Sequence, residues 1–149
     1  MRAVIQRVKS AHVEVAGRIL GKIGHGLVLF LGVSRDDTLK DADYLIDKSL
    51  NLRIFEDNDG KLNLSLLDVG GEILAISQFT LMADSRQGRR PSFIAAEEPE
   101  RAKERYLYFV QQLREKGVPV ATGEFQARMD VSLINHGPVT ILLDSKKTF

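Results

Sequence analysis

The chain has 149 residues, of which 44% are hydrophobic and 28% are charged, so it is long enough to bury a sizeable core in one globular domain. Its formal net charge of +1 excludes a protein that coats nucleic acid by bulk electrostatic attraction, although local contacts stay open. The absence of cysteine excludes disulfides and thiolate nucleophiles. Residues 1–7 lack a signal-peptide core, and the longest apolar run, residues 27–31, is too short to span a bilayer, so we expect a cytoplasmic location.

The first third of the chain is typical of β-structure. Residues 2–8 alternate loosely between apolar and polar positions, and residues 11–15 continue with Val13 and Val15 on one face, which predicts strand structure. Glycines at four positions from 17 to 26 then predict tight connections. Residues 27–33 are apolar on both faces and therefore indicate a central buried strand.

The rest of the chain predicts two helices among further strands. Thr38 and Asp41 stand in capping-box spacing and predict a helix over residues 38–51, and Pro99 and Gly117 delimit a second one. The remaining strands are predicted over residues 53–55, 72–77, 118–122, 129–134 and 139–143. We therefore expect a single α+β domain over residues 1–149.

Two segments look like ligand-binding loops but fail the requirements of those motifs. Residues 57–60 invite a calcium-loop interpretation, but Lys61 and Leu62 occupy positions that need an oxygen ligand and glycine, so we predict a hairpin turn. The glycines of residues 21–26 stand in the wrong order for a dinucleotide fingerprint. Because the three histidines also lack metal-ligand spacing, we expect no metal site.

The first candidate site is Ser77-Gln78-Phe79-Thr80-Leu81, at the end of an apolar run. The hydroxyls of Ser77 and Thr80 are weak nucleophiles without a neighbouring base, and they often satisfy only local backbone groups. Backbone N–H groups at such a strand end are able to stabilise an oxyanion without titrating. The residues alone leave a nucleophile, an oxyanion site and a plain strand end as alternatives.

The second candidate site is Asn135-His136-Gly137-Pro138-Val139-Thr140. A triad of Ser77, His136 and an aspartate is conceivable, but the chain has no G-x-S-x-G nucleophile elbow. Pro138 removes a ladder donor and so belongs at a sheet edge, a bulge or a strand start, while Gly137 allows a carbonyl to approach a ligand closely. A simple turn between residues 134 and 139 is the plain alternative.

Residues 84–91 contain three cations, Arg86, Arg89 and Arg90, that are suited to a phosphate or a carboxylate. A solvated loop is the plain interpretation. With Phe93 as a stacking platform, the same loop would fit a non-catalytic RNA-binding module.

Taken together, S-Q-F-T-L at residues 77–81 and N-x-G-P-V-T at residues 135–140 resemble the two signatures of the bacterial D-aminoacyl-tRNA deacylases, the D-Tyr-tRNA(Tyr) deacylase family. The similarity covers essentially the whole chain. It includes residues 5–8, 70–71, 90–93 and 131–133. His136 falls on the open position of the second signature, so the family pattern asks for no base there.

The resemblance implies an enzyme of translational proofreading. Such enzymes hydrolyse the ester between a D-amino acid and the 3′-terminal ribose of tRNA, and many also remove glycine from alanine tRNA. The implied fold is a β-barrel-like mixed sheet with two main helices packed on it. The implied state is a cytoplasmic homodimer that binds tRNA, with no metal, organic cofactor or membrane partner.

The resemblance also assigns roles to residues. It places Ser77, Gln78, Phe79 and Thr80 at the catalytic site, beside the ester carbonyl and the 3′-adenosine. It assigns substrate binding and chiral selection to Gly137, Pro138, Arg7, Phe93 and Met129. The Gly137–Pro138 peptide is expected to be cis and to reach across the interface to exclude L-amino acids, with Arg7 as its brace.

An aminoacyl ester is already activated, so positioning and oxyanion stabilisation matter more than a strong base. Our leading hypothesis is that backbone N–H groups of residues 78–80 bind the oxyanion and that the substrate 2′-hydroxyl directs water. Thr80 as a nucleophile is the main alternative. The rival functions are the RNA-binding module and a small-molecule esterase with Ser77 as its nucleophile.

Overall fold

The computed structural model describes residues 1–149 and contains one curved mixed sheet, a small two-stranded hairpin and two α-helices. The strands are β1 Arg2–Val15, β2 Arg18–Ile23, β3 Gly26–Gly32, β4 Phe55–Glu56, β5 Leu62–Leu64, β6 Glu72–Ser77, β7 Val120–Thr122 and β8 Asp130–Asp144. The helices are α1 Leu39–Asn51 and α2 Pro99–Glu115, and a short 3₁₀ helix spans Phe79–Met82.

The long strand β1 organises the sheet. It pairs antiparallel with β2 and β3 along one side and with β8 along the other, while β3, β6 and β7 run parallel. The sheet curls until β2 meets β7, where a Cβ added at Gly21 would lie 2.6 Å from the carbonyl oxygen of Thr122. The expected α+β fold, a barrel-like mixed sheet with two helices, is confirmed.

The two central strands are buried on both faces, as residues 27–33 predicted. Leu27 and Leu29 of β3 point to the core under the helices, whereas Val28 points to the core inside the curved sheet. The parallel neighbour β6 does the same, with Ile73 in the first core and Leu74 in the second. Both faces are apolar because each side of a parallel sheet is covered.

Both helices begin and end where the local signals predict. The Asp41 carboxylate accepts hydrogen bonds from the Thr38 N–H at 2.8 Å and the Thr38 hydroxyl at 2.9 Å, which closes the capping box of α1. Pro99 occupies the first turn of α2, and Gly117 follows its end at a positive φ of 83°. Neither helix is long and apolar enough to cross a membrane.

Asp41 also ties the start of α1 to the C-terminal segment, and its replacement by Asn should destabilise the fold. Ser145 donates to its carboxylate at 2.7 Å and Lys146 at 3.1 Å. Burial alone would raise the Asp41 pKa, but the hydrogen bonds from Thr38, Ser145 and Lys146 outweigh it and hold the pKa well below its usual range.

The folded-state pKa is lowered, so this stabilisation is complete above the unfolded pKa of about 4 and is lost progressively as the pH falls from there through the folded-state pKa. We expect Asp41→Asn to lower the free energy of unfolding by about 1–2 kcal/mol at pH 7. Urea titrations at pH 7 and pH 3 should show the difference shrinking in acid. The exposed Asp47 on the same helix provides the control, Asp47→Asn, and an equal loss there would contradict the prediction.

The predicted connections between residues 17 and 26 are partly wrong, because residues 18–23 form strand β2. A two-residue turn of Ala16 and Gly17, both with positive φ, joins β2 to β1, and such turns match the twist of paired strands. The glycine pattern predicts a turn at Gly21. Instead it lies within β2 and lets β7 approach closely.

The two strands predicted over residues 129–134 and 139–143 are one strand, β8, so the prediction of two strands is wrong and the alternative of a simple turn between them is excluded. The pairing of β8 with β1 is irregular between Gln6 and Val8, opposite the segment that contains Pro138. No strand pairs with the outer side of β8. Pro138 therefore lies on an edge strand beside a bulge, the alternative that its missing donor favours.

Candidate active site

A cavity of about 520 Å³ opens where the end of β6 meets the first turns of α2. Its lining is mostly apolar and comes from β3, β6, α2 and the segment before β8. The lining residues are Leu31, Val33, Ile76, Ser77, Gln78, Phe79, Glu97, Pro99, Ala102, Tyr106, Phe125, Gln126, Ala127, Met129 and Val131. An apolar cavity with few polar groups is typical of a small-ligand site.

The segment Ser77 to Thr80 forms one wall of this cavity. Ser77 ends β6, and the chain then turns into the 3₁₀ helix. Gly32 makes room for that turn, because a Cβ there would lie 2.9 Å from the carbonyl oxygen of Gln78. Ser77, Gln78 and Phe79 line the cavity, whereas Thr80 lies beside it and is exposed.

The backbone donors of this wall are not equivalent. The Gln78 N–H donates to the Leu31 carbonyl oxygen at 2.8 Å, so it is already used. The first bond of the 3₁₀ helix runs from the Leu81 N–H to the Gln78 carbonyl oxygen at 3.2 Å. The N–H groups of Phe79 and Thr80 precede that bond and so have no partner within the helix. The available donors are therefore those of Phe79 and Thr80.

The side chains of this wall carry no general base. The Thr80 hydroxyl accepts a hydrogen bond from the Gln78 amide. His136 lies outside the cavity and packs edge-on against His25, with ring centroids 6.2 Å apart. The structure does not bring Ser77 and His136 together, and no group of three or more potential metal ligands gathers in the protein.

Phe93 lies beside this wall, and Met129 also lines the cavity. The Phe93 ring meets the Phe79 ring edge-on, with centroids 5.1 Å apart, and both rings are partly exposed. Met129 belongs to the part of the lining that precedes β8. A Cβ added at Gly123 would lie 2.4 Å from the Met129 sulfur, so this glycine leaves the space that the methionine occupies.

Gly137 and Pro138 lie elsewhere, exposed at the middle of β8 and absent from the cavity lining. The peptide bond between them is cis. The buried Arg7 guanidinium braces this segment by donating to the His136 carbonyl oxygen at 3.0 Å and to the Ile54 carbonyl oxygen at 2.8 Å. Within one chain, the predicted site residues thus form two separate groups.

Sequence reasoning missed Glu97 in the cavity wall. Its backbone N–H donates to the Val33 carbonyl oxygen at 3.0 Å, and its carboxylate accepts from the Glu98 N–H at 2.9 Å and from Arg105 at 2.6 Å. Burial would raise the Glu97 pKa, but these hydrogen bonds outweigh it and lower the pKa. The one sequence feature that could have indicated Glu97 is its position two residues before Pro99, at the start of a helix.

Tyr106 of α2 also lines the cavity. Its hydroxyl donates to the Ala75 carbonyl oxygen at 2.8 Å. Burial raises the pKa of this hydroxyl to about 12, so it stays protonated and acts as a structural donor at neutral pH.

Comparison with known proteins identifies the family of this chain. The profile of the family described as "D-Tyr-tRNA(Tyr) deacylase" matches residues 4–144. A "D-aminoacyl-tRNA deacylase" of Thermosipho melanesiensis is 60% identical over 150 residues, which cover 100% of both chains. One of Clostridioides difficile is 57% identical over 149 residues, again across 100% of both.

Solved structures share the same fold. A protein described as "c-Myc DNA Unwinding Element Binding Protein" superposes with a TM-score of 0.92 at 43% identity, covering 97% of this chain and 98% of the other. A "probable eukaryotic D-amino acid tRNA deacylase" has a TM-score of 0.77 at 20% identity and shows likeness of fold alone. The chain therefore belongs to the D-Tyr-tRNA(Tyr) deacylase family and is a hydrolase that deacylates D-aminoacyl-tRNA.

Proposed function

We propose that this protein hydrolyses the ester between a D-amino acid and the 3′-terminal adenosine of tRNA by backbone oxyanion stabilisation, and that it rejects L-aminoacyl-tRNA. The observation that carries this proposal is the pair of N–H groups of Phe79 and Thr80, free of helical partners beside an apolar cavity. Donors held at that position stabilise a tetrahedral oxyanion without any change of protonation.

The reaction needs little more than these donors and a positioned water. The water oxygen attacks the ester carbonyl carbon and gives up a proton, the bond from that carbon to the ribose 3′-oxygen breaks, and the departing 3′-oxygen takes that proton. The substrate 2′-hydroxyl lies next to the bond that breaks and is suited to orient the water. The absence of a base beside Ser77 and Thr80 fits this scheme, because an aminoacyl ester is an activated substrate.

We further propose that two copies of the chain assemble through the free side of β8. Ile134 and Leu142 are exposed there at 57% and 60%. A second copy packed against this side would bring its Gly137–Pro138 segment to the cavity of the first.

The selection of D- over L-aminoacyl-tRNA then follows from steric exclusion at the substrate Cα. The side chain and the hydrogen exchange places between enantiomers, so a wall of Gly137 and Pro138 leaves room for hydrogen but not for Cβ. Glycine has no Cβ, and we therefore also propose hydrolysis of glycine from alanine tRNA. In the cell this activity would serve proofreading in the cytoplasm.

The proposal is tested by incubating the protein with D-tyrosyl-tRNA, L-tyrosyl-tRNA and glycyl-tRNA(Ala) and measuring release of each amino acid. We expect release of D-tyrosine and glycine, with L-tyrosine retained. D-alanyl-tRNA should react at a rate similar to D-tyrosyl-tRNA, because a D side chain points away from the wall. Hydrolysis of the L-ester at a comparable rate, or a large difference between the two D-esters, would contradict the steric scheme. Sedimentation analysis tests the proposed assembly, because a mass of two chains in solution is expected and a mass of one chain would contradict it.

Two rival functions give different results in the same assay. A nucleic-acid-binding module that uses Arg86, Arg89, Arg90 and Phe93 would bind charged tRNA and leave the ester intact. DNA binding appears in the description of the solved relative at 43% identity. A small-molecule serine esterase would react with a fluorophosphonate probe at Ser77, whereas the proposed mechanism leaves that hydroxyl unlabelled.

A further inference from the structure

The loop of residues 84–92, here called the arginine loop, starts and ends beside the proposed site. The backbone N–H groups of Asp84 and Ser92 donate to each other's carbonyl oxygens at 2.8 and 2.9 Å, which closes the loop at its base. The loop begins two residues after the 3₁₀ helix. It is followed by Phe93, whose ring contacts Phe79. The hydrogen bonds between Asp84 and Ser92 therefore hold the middle of the arginine loop close to the cavity wall.

The three arginines of this loop differ in their surroundings. Arg86 is held by Asp84 through two hydrogen bonds, at 2.9 and 2.7 Å, so its charge is compensated within the loop. Asp84 thereby raises the pKa of Arg86. Arg89 and Arg90 are exposed and form no ion pair with the protein. The loop therefore offers two adjacent uncompensated guanidinium groups beside Phe93.

The cleft on the other side of the loop offers no comparable charge. It contains Arg2 and Lys146 in addition to Arg86. Arg2 lies 3.6 Å from a carboxylate oxygen of Asp144, and Lys146 lies 3.0 Å from one of Asp41. Since each cation already has an acidic partner, a polyanion gains less by entering this cleft than by following the Arg89–Arg90 side.

We propose that Arg89 and Arg90 bind backbone phosphates of the tRNA acceptor end, immediately before the 3′-terminal adenosine. This inference rests on the proposed function, because the ester must lie beside Phe79 for those phosphates to reach the arginine loop. Guanidinium groups pair with phosphate oxygens through two parallel hydrogen bonds. The contacts position tRNA and take no part in the chemistry.

The test compares two substrates that share the ester but differ in phosphates: D-tyrosyl-tRNA and D-tyrosyl-adenosine. For Arg89→Ala and for Arg90→Ala we expect kcat/KM on D-tyrosyl-tRNA to fall about 5- to 10-fold, with the loss in KM and not in kcat. The rate on D-tyrosyl-adenosine should be unchanged. The slope of log(kcat/KM) against log(salt) should become shallower by about 0.7 for each variant, the value for one single-strand phosphate.

Lys116→Ala is a charge-matched control, because Lys116 follows the end of α2 that is farthest from the cavity. The 17 residues of α2 place it about 25 Å from Pro99, well beyond the screening length at physiological salt. Its kinetics and salt slope should match those of the unsubstituted protein. Arg89→Lys and Arg90→Lys, which keep the charge, should recover part of the lost kcat/KM.

Several results would overturn the inference. Equal losses on both substrates would mean that the two arginines act on the site or on folding and not on phosphates. A loss in Arg128→Ala but in neither loop variant would place the acceptor end on the opposite side, where exposed Arg128 adjoins Met129. Inactivity of the unsubstituted protein on both substrates would instead refute the proposed function itself.

Discussion

Replacing Phe79 by proline should slow hydrolysis of D-tyrosyl-tRNA about 10²–10³-fold relative to replacing it by alanine, because proline removes one proposed oxyanion donor. Both variants lose the ring that contacts Phe93, so their ratio isolates the backbone N–H. Proline is tolerated at the first position of a helix, and the preceding Gln78 lies outside the α region at φ −143° and ψ 80°. Single-turnover deacylation at saturating enzyme measures the ratio.

Thr80→Ala provides the matching test of the side chain. We expect its rate to stay within about 10-fold of the unsubstituted protein, because the proposed mechanism uses the backbone N–H of Thr80 and not its hydroxyl. Circular dichroism and tRNA binding serve as controls for folding. Equal rates for the proline and alanine variants at residue 79 would refute the donor assignment. A loss of many orders of magnitude in Thr80→Ala, or a trapped aminoacyl-enzyme, would make Thr80 the nucleophile.

Gly137→Ala should have the largest combined effect on stability and on the selection of D- over L-aminoacyl-tRNA. Gly137 has a φ of +117°, which L side chains rarely adopt, and an added Cβ would lie 2.5 Å from a guanidinium nitrogen of Arg7. Arg7 has little freedom to retreat, because it is only 2% exposed and is held by the carbonyl oxygens of His136 and Ile54. We expect the free energy of unfolding to fall by about 2–4 kcal/mol.

The Cβ added in Gly137→Ala would push the Gly137–Pro138 segment away from Arg7, and this shift should weaken the proposed wall. We expect the ratio of D-tyrosyl-tRNA to L-tyrosyl-tRNA hydrolysis to fall about 10-fold or more, since small misplacements at a reacting centre are costly. Urea unfolding and the two deacylation rates measure both effects. Gly60→Ala is the matched control: its φ is +74°, and an added Cβ meets nothing within 4 Å.

Gly60→Ala should cost about 1 kcal/mol and leave the D-to-L ratio unchanged. If Gly137→Ala destabilises the protein without changing that ratio, the steric wall lies elsewhere. Pro138→Ala, at an exposed residue of the same segment, provides a second variant should Gly137→Ala not fold.

The helices and the central strands could be predicted because their signals are local. Thr38 and Asp41 interact across three residues, and the limits of α2 depend on Pro99 and Gly117 within its own turns. The apolar character of residues 27–33 indicated burial on both faces before any neighbour was known. The types of residue in the two signature segments likewise pointed to a site without a general base.

Tertiary structure alone decided which of these residues come together. Arg7 and His136 are 129 residues apart in the chain, and no short-range pattern reports their hydrogen bond. The same holds for the continuity of β8, for the Gln78 N–H already donated to Leu31, and for Glu97 in the cavity wall. Caps and periodicity arise from neighbours in sequence, whereas strand pairing and cavity walls arise from neighbours in space. The sequence of this chain thus determined its helices, its central strands and its two signature segments, and only the folded sheet decided that one segment lines a cavity while the other lies on an open edge.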